Sequence, residues 1–378
     1  TIRKKTSVVL PTVCTKFWAR HSSVSPGIAE AARIPDSVGR AFGFTIHKAT
    51  VATGGFSGVR VFRATTNDGR ELAVRGTPAA QFLPSDRIVG LYRLLRWISQ
   101  AGDCPVPVPL VPAVGVVPAS PQRRKHQAEP WLRQHEIIWQ VEPWLPGHPL
   151  HGNELSADHV NAALSSLNRF HQLAAEAVRI LGADEWFMNT TKPSPAVTRR
   201  LKIVQELRDG KLEMLRRHLA VDTDERFRGL AIRVCQALRT RLPGLHHALS
   251  ALVDTPFRIQ PVLRDVWRAH VLFTGTQVSG LIDLSAAASD HVTVDVARLI
   301  RSWFGSNSAL VRNAQSHYQS LQVLNGSEQR LLQALDASSV LLSPVTWLQR
   351  RMESGSRGRW AEEVHLRLAE LTEVAENL

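Results

Sequence analysis

Cysteine is scarce in this sequence of 378 residues, and it contains no long apolar run. The three cysteines, Cys14, Cys104 and Cys235, lie far apart and form no CxxC pair, which argues against a disulfide framework or a zinc site. No apolar stretch approaches the roughly 18 residues that indicate a membrane-spanning helix. The scarcity of cysteine favours a reducing compartment, so we predict a cytoplasmic protein without a membrane span.

Acidic and aromatic residues are also few. Lysine and arginine total 46 against 33 acidic residues, which gives a net charge of +13. Such a positive field attracts anions, including nucleotides and phosphorylated metabolites, and argues against a polycationic substrate. Because aromatic residues make up only 6% of the chain and do not interleave with a basic stripe, nucleic-acid binding is not the predicted function.

The first 36 residues are basic, with no acid before Glu30. An arginine- and serine-containing, acid-poor leader is one form that a targeting peptide takes. A loosely ordered basic tail is the simpler interpretation, and it is the one we prefer. The sequence gives no indication of oligomeric state.

The hydrophobic pattern divides the chain into a strand-rich front and a helical rear. Strands are predicted from alternating apolar residues and turn signals at 44–52, 59–65, 71–75, 111–117 and 137–141. Helical spacing is predicted at 86–100, through most of 156–252 and from 293 onwards, with breaks at Gly326, at Ser343-Pro344 and at 355–358. Strands followed by helices predict two lobes with a cleft between them.

The stretch 260–284 is the most informative part of the chain. It contains Asp265 and His270 in one loop, followed by two short apolar strands that a Thr-Gly-Thr-Gln turn joins. The second strand ends on Asp283. A hairpin brings the residue before its first strand close to the residue that ends its second. We therefore expect these three side chains to meet, and two carboxylates with an imidazole suit a divalent metal and a general base.

A glycine-rich turn between the first two strands provides a second candidate site. It comprises Gly54, Gly55, Phe56, Ser57 and Gly58. Successive N–H groups in such a turn can hold a phosphate, although most glycine-rich turns are merely turns. Arg75 ends the third strand and could contact nucleotide phosphates, or could equally be a solvated strand residue. The turn is not a Walker loop, because no Gly-Lys-Ser/Thr follows it.

Three further residues near these motifs have structural interpretations. Asp295 precedes a helix and is predicted to be a structural hydrogen-bonding residue. His171 lies on the apolar face of a helix and is predicted to belong to the core. Trp267, beside Asp265, could stack on a substrate or pack against its own loop.

In order and spacing, these elements resemble the aminoglycoside phosphotransferase and choline kinase-like family, relatives of the protein kinases, over roughly residues 42–310. The matching segments are GGFSGVRVFRATTNDGRELAVR, VEPWLPG, LSSLNRFH, VLRDVWRAHVLF and GLIDL. The resemblance implies an α+β, bilobal, protein-kinase-like fold, with a small antiparallel-sheet N-lobe and a larger, mainly helical C-lobe. The implied boundaries are a basic extension at 1–41, the N-lobe at 42–143 and the C-lobe at 144–378.

The resemblance also implies roles for individual residues. Asp265 matches the family's catalytic base and Asp283 its metal ligand, while His270 replaces a metal-binding Asn. Arg75 stands where the family has Lys or Arg, and backbone groups near Glu142 to Trp144 would hold adenine. The implied cofactors are ATP with Mg²⁺, or with Mn²⁺.

The departures from the family pattern define a rival function. His-Gly before the catalytic Asp is replaced by Leu263-Arg264, and Leu91 lies near where a Glu that pairs with Arg75 is expected. Arg264 could stabilise the transferring group or bind an anionic acceptor. We predict an ATP-dependent phosphotransferase that transfers the γ-phosphate to a hydroxyl of a small, neutral or anionic acceptor. The alternative is a non-catalytic, pseudokinase-like nucleotide-binding or scaffolding module.

Overall fold

The computed structural model describes residues 34–52, 59–113, 129–354 and 361–378. The predicted glycine-rich turn from Gly54 to Gly58 lies outside the described residues, as does almost all of the predicted basic tail. Of the strand predicted at 111–117, the described residues 111–113 are not in strand conformation, and the others are not described. Residues 34–41, predicted as part of the extension, contribute buried Ile34 and Val38 to the N-lobe core.

The N-lobe is a five-stranded antiparallel sheet in the order β1-β2-β3-β5-β4. Its strands are β1 Ile46–Val51, β2 Arg60–Thr66, β3 Glu71–Pro78, β4 Leu132–Gln134 and β5 Ile137–Pro143. Helix α1, Asp36–Ala41, packs beside the sheet, and helix α2, Ser85–Ala101, follows β3. Leu72 and Val74 are buried, and because side chains alternate along a strand, Arg75 faces the opposite side of the sheet.

The C-lobe is mainly helical. Its elements are α3 Ala157–Leu181, β6 Thr190–Pro193, α4 Pro195–Glu206, α5 Leu212–Leu219, α6 Glu225–Ser250, β7 Pro256–Val262, β8 Val271–Thr274, β9 Gln277–Leu281, β10 Ala288–Asp290, α7 Thr293–Phe304, α8 Ser308–Leu321, α9 Gly326–Ser354 and α10 Ala361–Glu376. β7 pairs with β6 and β10, and β8 pairs with β9 as the predicted hairpin. The fold is therefore the α+β arrangement that the sequence predicted.

Helix α3 shows why the C-lobe residues form their core. Leu164, Leu167 and Phe170 recur at helical spacing, and each is fully buried. The Ser156 side chain accepts a hydrogen bond from the His159 N–H and caps the start of the helix. His171 lies on the same face and is also fully buried, as predicted.

Two local signals gave the wrong result. Ser343-Pro344 was expected to separate two helices, but α9 continues through Pro344. Tertiary packing overrides the lost backbone hydrogen bond there, since the neighbouring Leu341, Leu342 and Val345 are all buried. Serine followed by proline is a local signal for a helix N-cap, but the hydroxyl of Ser194, at the N-cap position of α4, donates to Asp290 Oδ1 at 2.6 Å instead of capping the helix.

One described helix has the length and composition of a membrane span. It is the part of α9 from Gly326 to Met352, and 67% of its apolar window is buried inside the fold. Arg351 on this helix is 5% exposed and pairs with Asp222 at 2.8 Å. A mostly buried helix with an internal ion pair is typical of the core of a globular protein.

Candidate active site

The loop at 263–270, called the catalytic loop after its predicted role, is anchored at its start by Asp295 of α7. The Asp295 carboxylate accepts hydrogen bonds from the Leu263 N–H at 2.7 Å and the Arg264 N–H at 2.6 Å. His171 Nε2 is 3.0 Å from the same carboxylate, and both side chains are inaccessible to solvent. Arg264 has a φ of 65°, and these bonds hold its backbone in that left-handed conformation. Asp295 is therefore a structural residue, as predicted.

Asp265, the predicted base, is partly exposed and paired with an arginine. Its carboxylate accepts a hydrogen bond from Arg298 of α7, and the two side chains are 43% and 37% exposed. Sequence reasoning missed Arg298, although its spacing from Asp295 provides a signal. Residues three apart on a helix share a face, so Arg298 and Asp295 both turn towards the loop.

His270 is fixed by hydrogen bonds at both ring nitrogens. Nδ1 lies 2.7 Å from the Asp265 carbonyl oxygen, which can only accept, so Nδ1 carries a proton. The Trp267 indole N–H donates to Nε2 at 2.8 Å, so Nε2 has none. The Asp283 carboxylate lies 3.6 Å from Nε2, too far for a hydrogen bond. The imidazole is therefore neutral in this arrangement, and Trp267 packs against its own loop.

Asp283, at the end of the hairpin, is held by the N-lobe. It adopts the left-handed conformation, with a φ of 56°, immediately after Ile282. Arg75 Nη1 and Nη2 both donate to Asp283 Oδ1 at 3.1 Å. Burial pushes the pKa of Asp283 upwards, but nearby positive charge, chiefly that of Arg75, together with hydrogen bonds from Arg75 and Ser285 outweighs it and leaves the pKa below its ordinary 3.8. Asp283 is therefore charged at neutral pH.

The sequence offers no glutamate on α2 to pair with Arg75, and in the structure Arg75 pairs with another carboxylate. Its partner is Asp283 rather than a glutamate of α2, and the charge of Glu142 on β5 acts on it as well. Burial raises the pKa of Glu142 above its ordinary value, with Arg75 acting in the opposite sense. Asp283 and Glu142 thus provide the negative charge near Arg75 that a helix glutamate was expected to provide.

Helix α2 contacts the segment after Asp283 through an arginine that lies one turn before Leu91, the position near which a glutamate was expected. Arg87 is 7% exposed and donates to the carbonyl oxygens of Ser285 and Ala287, each at 3.1 Å. The helix therefore contacts the segment that follows Asp283 through a cation. Sequence reasoning missed Arg87 because it searched the apolar face of α2, near Leu91, for an acid.

Part of the backbone in and just before the predicted adenine-binding segment, Glu142 to Trp144, holds the N-lobe together. The Trp144 N–H donates to the Glu71 carbonyl at 3.0 Å, and the Val141 carbonyl accepts from the Leu110 N–H at 2.7 Å. The Trp144 N–H is thus already engaged within the N-lobe, and adenine binding by other backbone groups near Glu142 to Trp144 stays a prediction. The Trp144 ring lies under the Arg63 guanidinium, 5.1 Å away.

The donor atoms decide whether these residues fit the implied divalent metal. Asp283 fits, because its carboxylate is 39% exposed and Mg²⁺ is commonly held by one or two carboxylates together with phosphate oxygens. His270 does not fit as it stands, because its Nε2 lone pair accepts the Trp267 N–H. Among the residues that the structure describes, no group of three or more His, Cys, Asp or Glu side chains is gathered to hold a metal. The assignment of His270 as a ligand is therefore corrected.

The hairpin brings the three predicted residues together only in part. His270 lies close to both partners, through the backbone oxygen of Asp265 and the carboxylate of Asp283. The carboxyl group of Asp265 is instead engaged by Arg298. The site thus consists of two carboxylates, each paired with a different arginine, on either side of a fixed imidazole.

Comparisons with known proteins agree with this architecture. A model of the phosphotransferase enzyme family matches residues 48–335. An aminoglycoside phosphotransferase from Alicyclobacillus acidocaldarius has 16% identity and a TM-score of 0.58, with 91% of this chain and 93% of that chain covered. A macrolide 2′-phosphotransferase from Brachybacterium faecium has 18% identity and a TM-score of 0.50, with coverage of 88% and 96%.

A third solved structure is a spectinomycin phosphotransferase in complex with ADP and spectinomycin. It has 11% identity and a TM-score of 0.59, with 89% of this chain and 95% of that chain covered. No curated protein matches the chain. Likenesses at these identities establish the shared kinase-like fold, and the family model covers most of the sequence. The chain belongs to the phosphotransferase enzyme family.

Proposed function

We propose that the protein is an ATP-dependent phosphotransferase that passes the γ-phosphate to a hydroxyl group of a small molecule. Family membership supports the reaction class, and the spectinomycin phosphotransferase of the same fold was solved in complex with ADP and spectinomycin. The observation that carries the proposal is the partly exposed Asp265 carboxylate, on a loop whose backbone is fixed by buried Asp295. A preset carboxylate of this kind suits a base that acts on a bound hydroxyl.

In the proposed reaction, the acceptor hydroxyl gives its proton to Asp265. Its oxygen forms a bond to the γ-phosphorus while the bond from that phosphorus to the β–γ bridging oxygen breaks, and ADP leaves with the electron pair. Arg298 orients the Asp265 carboxylate before the acceptor binds. Phosphoryl transfer depends mainly on such positioning and on neutralising the phosphate charge.

Arg75 and Asp283 are proposed to serve the nucleotide. Two N–H groups of Arg75 bond to Asp283, and a guanidinium has five donors, so its other donors can contact phosphate oxygens. Asp283 would hold Mg²⁺, which when bound neutralises charge on the phosphates. Glu142, next to Arg75 on the adjacent strand, would keep that guanidinium aimed into the cleft.

The charges around Asp265 favour an acceptor that is neutral or anionic. Arg298 pairs directly with the base, and Arg264 and Arg268 belong to the same loop. A polycationic acceptor would have to approach this group of arginines against their charge. An anionic acceptor could instead be held by Arg264, the residue for which the sequence suggested that role.

Phosphotransfer from ATP to a panel of hydroxyl compounds, grouped by charge, tests the proposal. We expect ADP to form with at least one neutral or anionic acceptor in Mg²⁺ or Mn²⁺. Asp265→Asn should lower kcat by roughly 10²- to 10⁴-fold, the usual contribution of a general base, and leave nucleotide affinity unchanged. Asp209→Asn is the matched control, because Asp209 is exposed and lies outside the site.

Turnover that survives Asp265→Asn would contradict the assignment of the base. Turnover with polycationic acceptors alone would contradict the assignment of acceptor charge. Nucleotide binding without turnover, across all acceptors and both metals, would instead support the second candidate function.

That second candidate is a non-catalytic nucleotide-binding module, and one specific contact favours it. Arg75 binds the carboxylate that a metal would need, with Nη1 and Nη2 both on Asp283 Oδ1. A protein in which this pair stays closed could bind nucleotide through Arg75 without assembling a metal site. Asp283→Asn separates the two functions: it should abolish turnover in a kinase, but preserve nucleotide binding in such a module.

A further inference from the structure

The C-terminal helix α10 reaches the catalytic loop from outside the segment that the family model matches. That match ends at residue 335, and α10 spans Ala361–Glu376. The helix packs against α6 and α9, with Leu368 and Thr372 fully buried. It is therefore a fixed part of the C-lobe, able to act on what it touches.

Glu370 of α10 binds the catalytic loop through Arg268. Its two carboxylate oxygens accept from Arg268 Nη1 at 2.7 Å and Nη2 at 3.2 Å. Arg268 is also tied to α7, because its backbone N–H donates to the Ser302 hydroxyl at 2.8 Å and its Nη1 to the Ser302 carbonyl at 3.2 Å. A bidentate pair between an arginine and a carboxylate fixes the relative orientation of the two side chains as well as their distance.

The same glutamate also orients a second contact to the loop. Arg367, one turn earlier on α10, donates to Glu370 Oε2 at 2.6 Å, and its guanidinium lies 5.2 Å from the centre of the Trp267 ring. Burial raises the pKa of Glu370, but Arg367 and Arg268 outweigh it and leave the pKa below its ordinary value. The carboxylate is thus charged and binds both arginines at neutral pH.

These contacts extend to the reacting part of the loop. Trp267 donates to His270 Nε2, and His270 Nδ1 donates to the carbonyl oxygen of Asp265. On the other side, Asp295 holds the backbone of the preceding residue, Arg264, and Arg298 binds the Asp265 carboxylate. The base therefore lies between an anchor on α7 and a second anchor that begins on α10.

We propose that α10 is a positioning element of the active site, and that Glu370 and Arg367 set the conformation of residues 265–270. The expected effect of α10 on catalysis rests on the proposed function, in which Asp265 acts as the base. The expected effect of α10 on the conformation of the loop does not depend on that function. Neither residue touches the reacting atoms, so both are positioning residues.

Hydrogen–deuterium exchange on the nucleotide-free, full-length protein tests the proposal without turnover. In Glu370→Gln and Arg367→Ala, the peptide covering 264–271 should exchange roughly tenfold faster, with other core peptides unchanged. Glu376→Gln is the matched control: Glu376 lies on the same helix and pairs with Arg233 of α6 at 2.8 Å, away from the loop. It should leave the 264–271 peptide as in the unmodified protein.

Kinetics provide the second readout. If the protein transfers phosphate, Glu370→Gln should lower kcat on the order of 10- to 100-fold, with KM for ATP within about twofold, because the base is displaced while the nucleotide contacts remain. Arg268→Lys keeps the charge but loses the paired geometry, and should behave like Glu370→Gln.

The outcomes separate this inference from the proposed function. Unchanged exchange at 264–271 in both variants would overturn the inference, as would a uniform rise across all peptides, which indicates only lost stability. Localised exchange without any phosphotransfer would support the positioning of the loop and reject the proposed reaction. Phosphotransfer with unchanged exchange at 264–271 would support the proposed reaction and reject the positioning of the loop by α10.

Discussion

The catalytic loop and the end of the hairpin each present a carboxylate paired with an arginine, but they are held from different sides. Asp265 is bonded to Arg298 of the C-lobe, and its loop is anchored by other C-lobe residues. Asp283 is bonded to Arg75 of the N-lobe, a residue 208 positions away, and the segment after it is bonded to Arg87 of the same lobe.

This difference assigns the two carboxylates different mechanical roles. A change in the separation of the lobes would alter the partner of Asp283 and leave Asp265 bonded to Arg298. The candidate base is thus positioned by contacts within the C-lobe alone, whereas the bond between the candidate metal ligand and Arg75 depends on the separation of the lobes. Breaking each side separately should therefore produce different results.

The largest expected effect comes from breaking the loop side at its buried anchor. Asp295→Asn replaces a carboxylate oxygen by an NH₂ group that must face the backbone donors at Leu263 and Arg264 or the ring of His171. A buried donor would then lack an acceptor, and we expect unfolding in urea to show a loss of about 3 kcal/mol.

The exposed carboxylate Asp209 again provides the control, since Asp209→Asn should change the unfolding free energy by less than about 0.5 kcal/mol. If Asp295→Asn resembled that control, the buried anchor would not be what holds the loop.

An intermediate effect is expected from breaking the hairpin side. Arg75→Met removes the N-lobe cation and should weaken ATP binding about tenfold, the loss of one charge-assisted contact. Exchange at 264–271 should not change, because the loop has no bond to Arg75. Isothermal titration measures the affinity, with Arg133→Met as the control, since Arg133 is 62% exposed and pairs with Glu136 at the edge of the N-lobe sheet. Equal affinities in the two variants would refute the assignment of Arg75.

The smallest expected effect is the pH dependence of the same pair. The pKa of Asp283 lies below its ordinary 3.8 in the folded protein, so its contribution to stability is complete above that value and is lost as pH falls through the lower one. Because the carboxylate is 39% exposed, solvent screening limits the contribution to less than about 1 kcal/mol.

Unfolding free energies of the unmodified protein and of Asp283→Asn, measured from about pH 5 to about pH 3, should therefore converge at the acid end. Curves that stay parallel over this range would show that the pair contributes nothing in solution.

Much of the architecture could be predicted from short stretches of sequence. The strands around the turn at Gly69, the hairpin at 271–281 and the buried face of α3 all follow from local periodicity, which depends only on neighbouring residues. The continuation of α9 through Pro344 could not be predicted in that way, because packing against other helices stabilises it.

The candidate site divides along the same line. The types and order of its carboxylates, Asp265, Asp283 and Asp295, could be read from the sequence, because a hairpin of known length brings its ends together. Spacing from Asp295 gives a signal for Arg298, the partner of Asp265. The contact of Arg75 with Asp283 and that of Glu370 with Arg268 could not be read, since each joins segments far apart in the sequence.

The sequence by itself therefore determined which functional side chains are present, and that these are of the types that the family's chemistry uses. Only the tertiary structure decided that one carboxylate binds the other lobe, that His270 is neutral and bonded to Trp267, and that a helix near the C-terminus reaches the loop. The physical reason is that charge pairing depends on distances in space, and these are set by how distant elements pack.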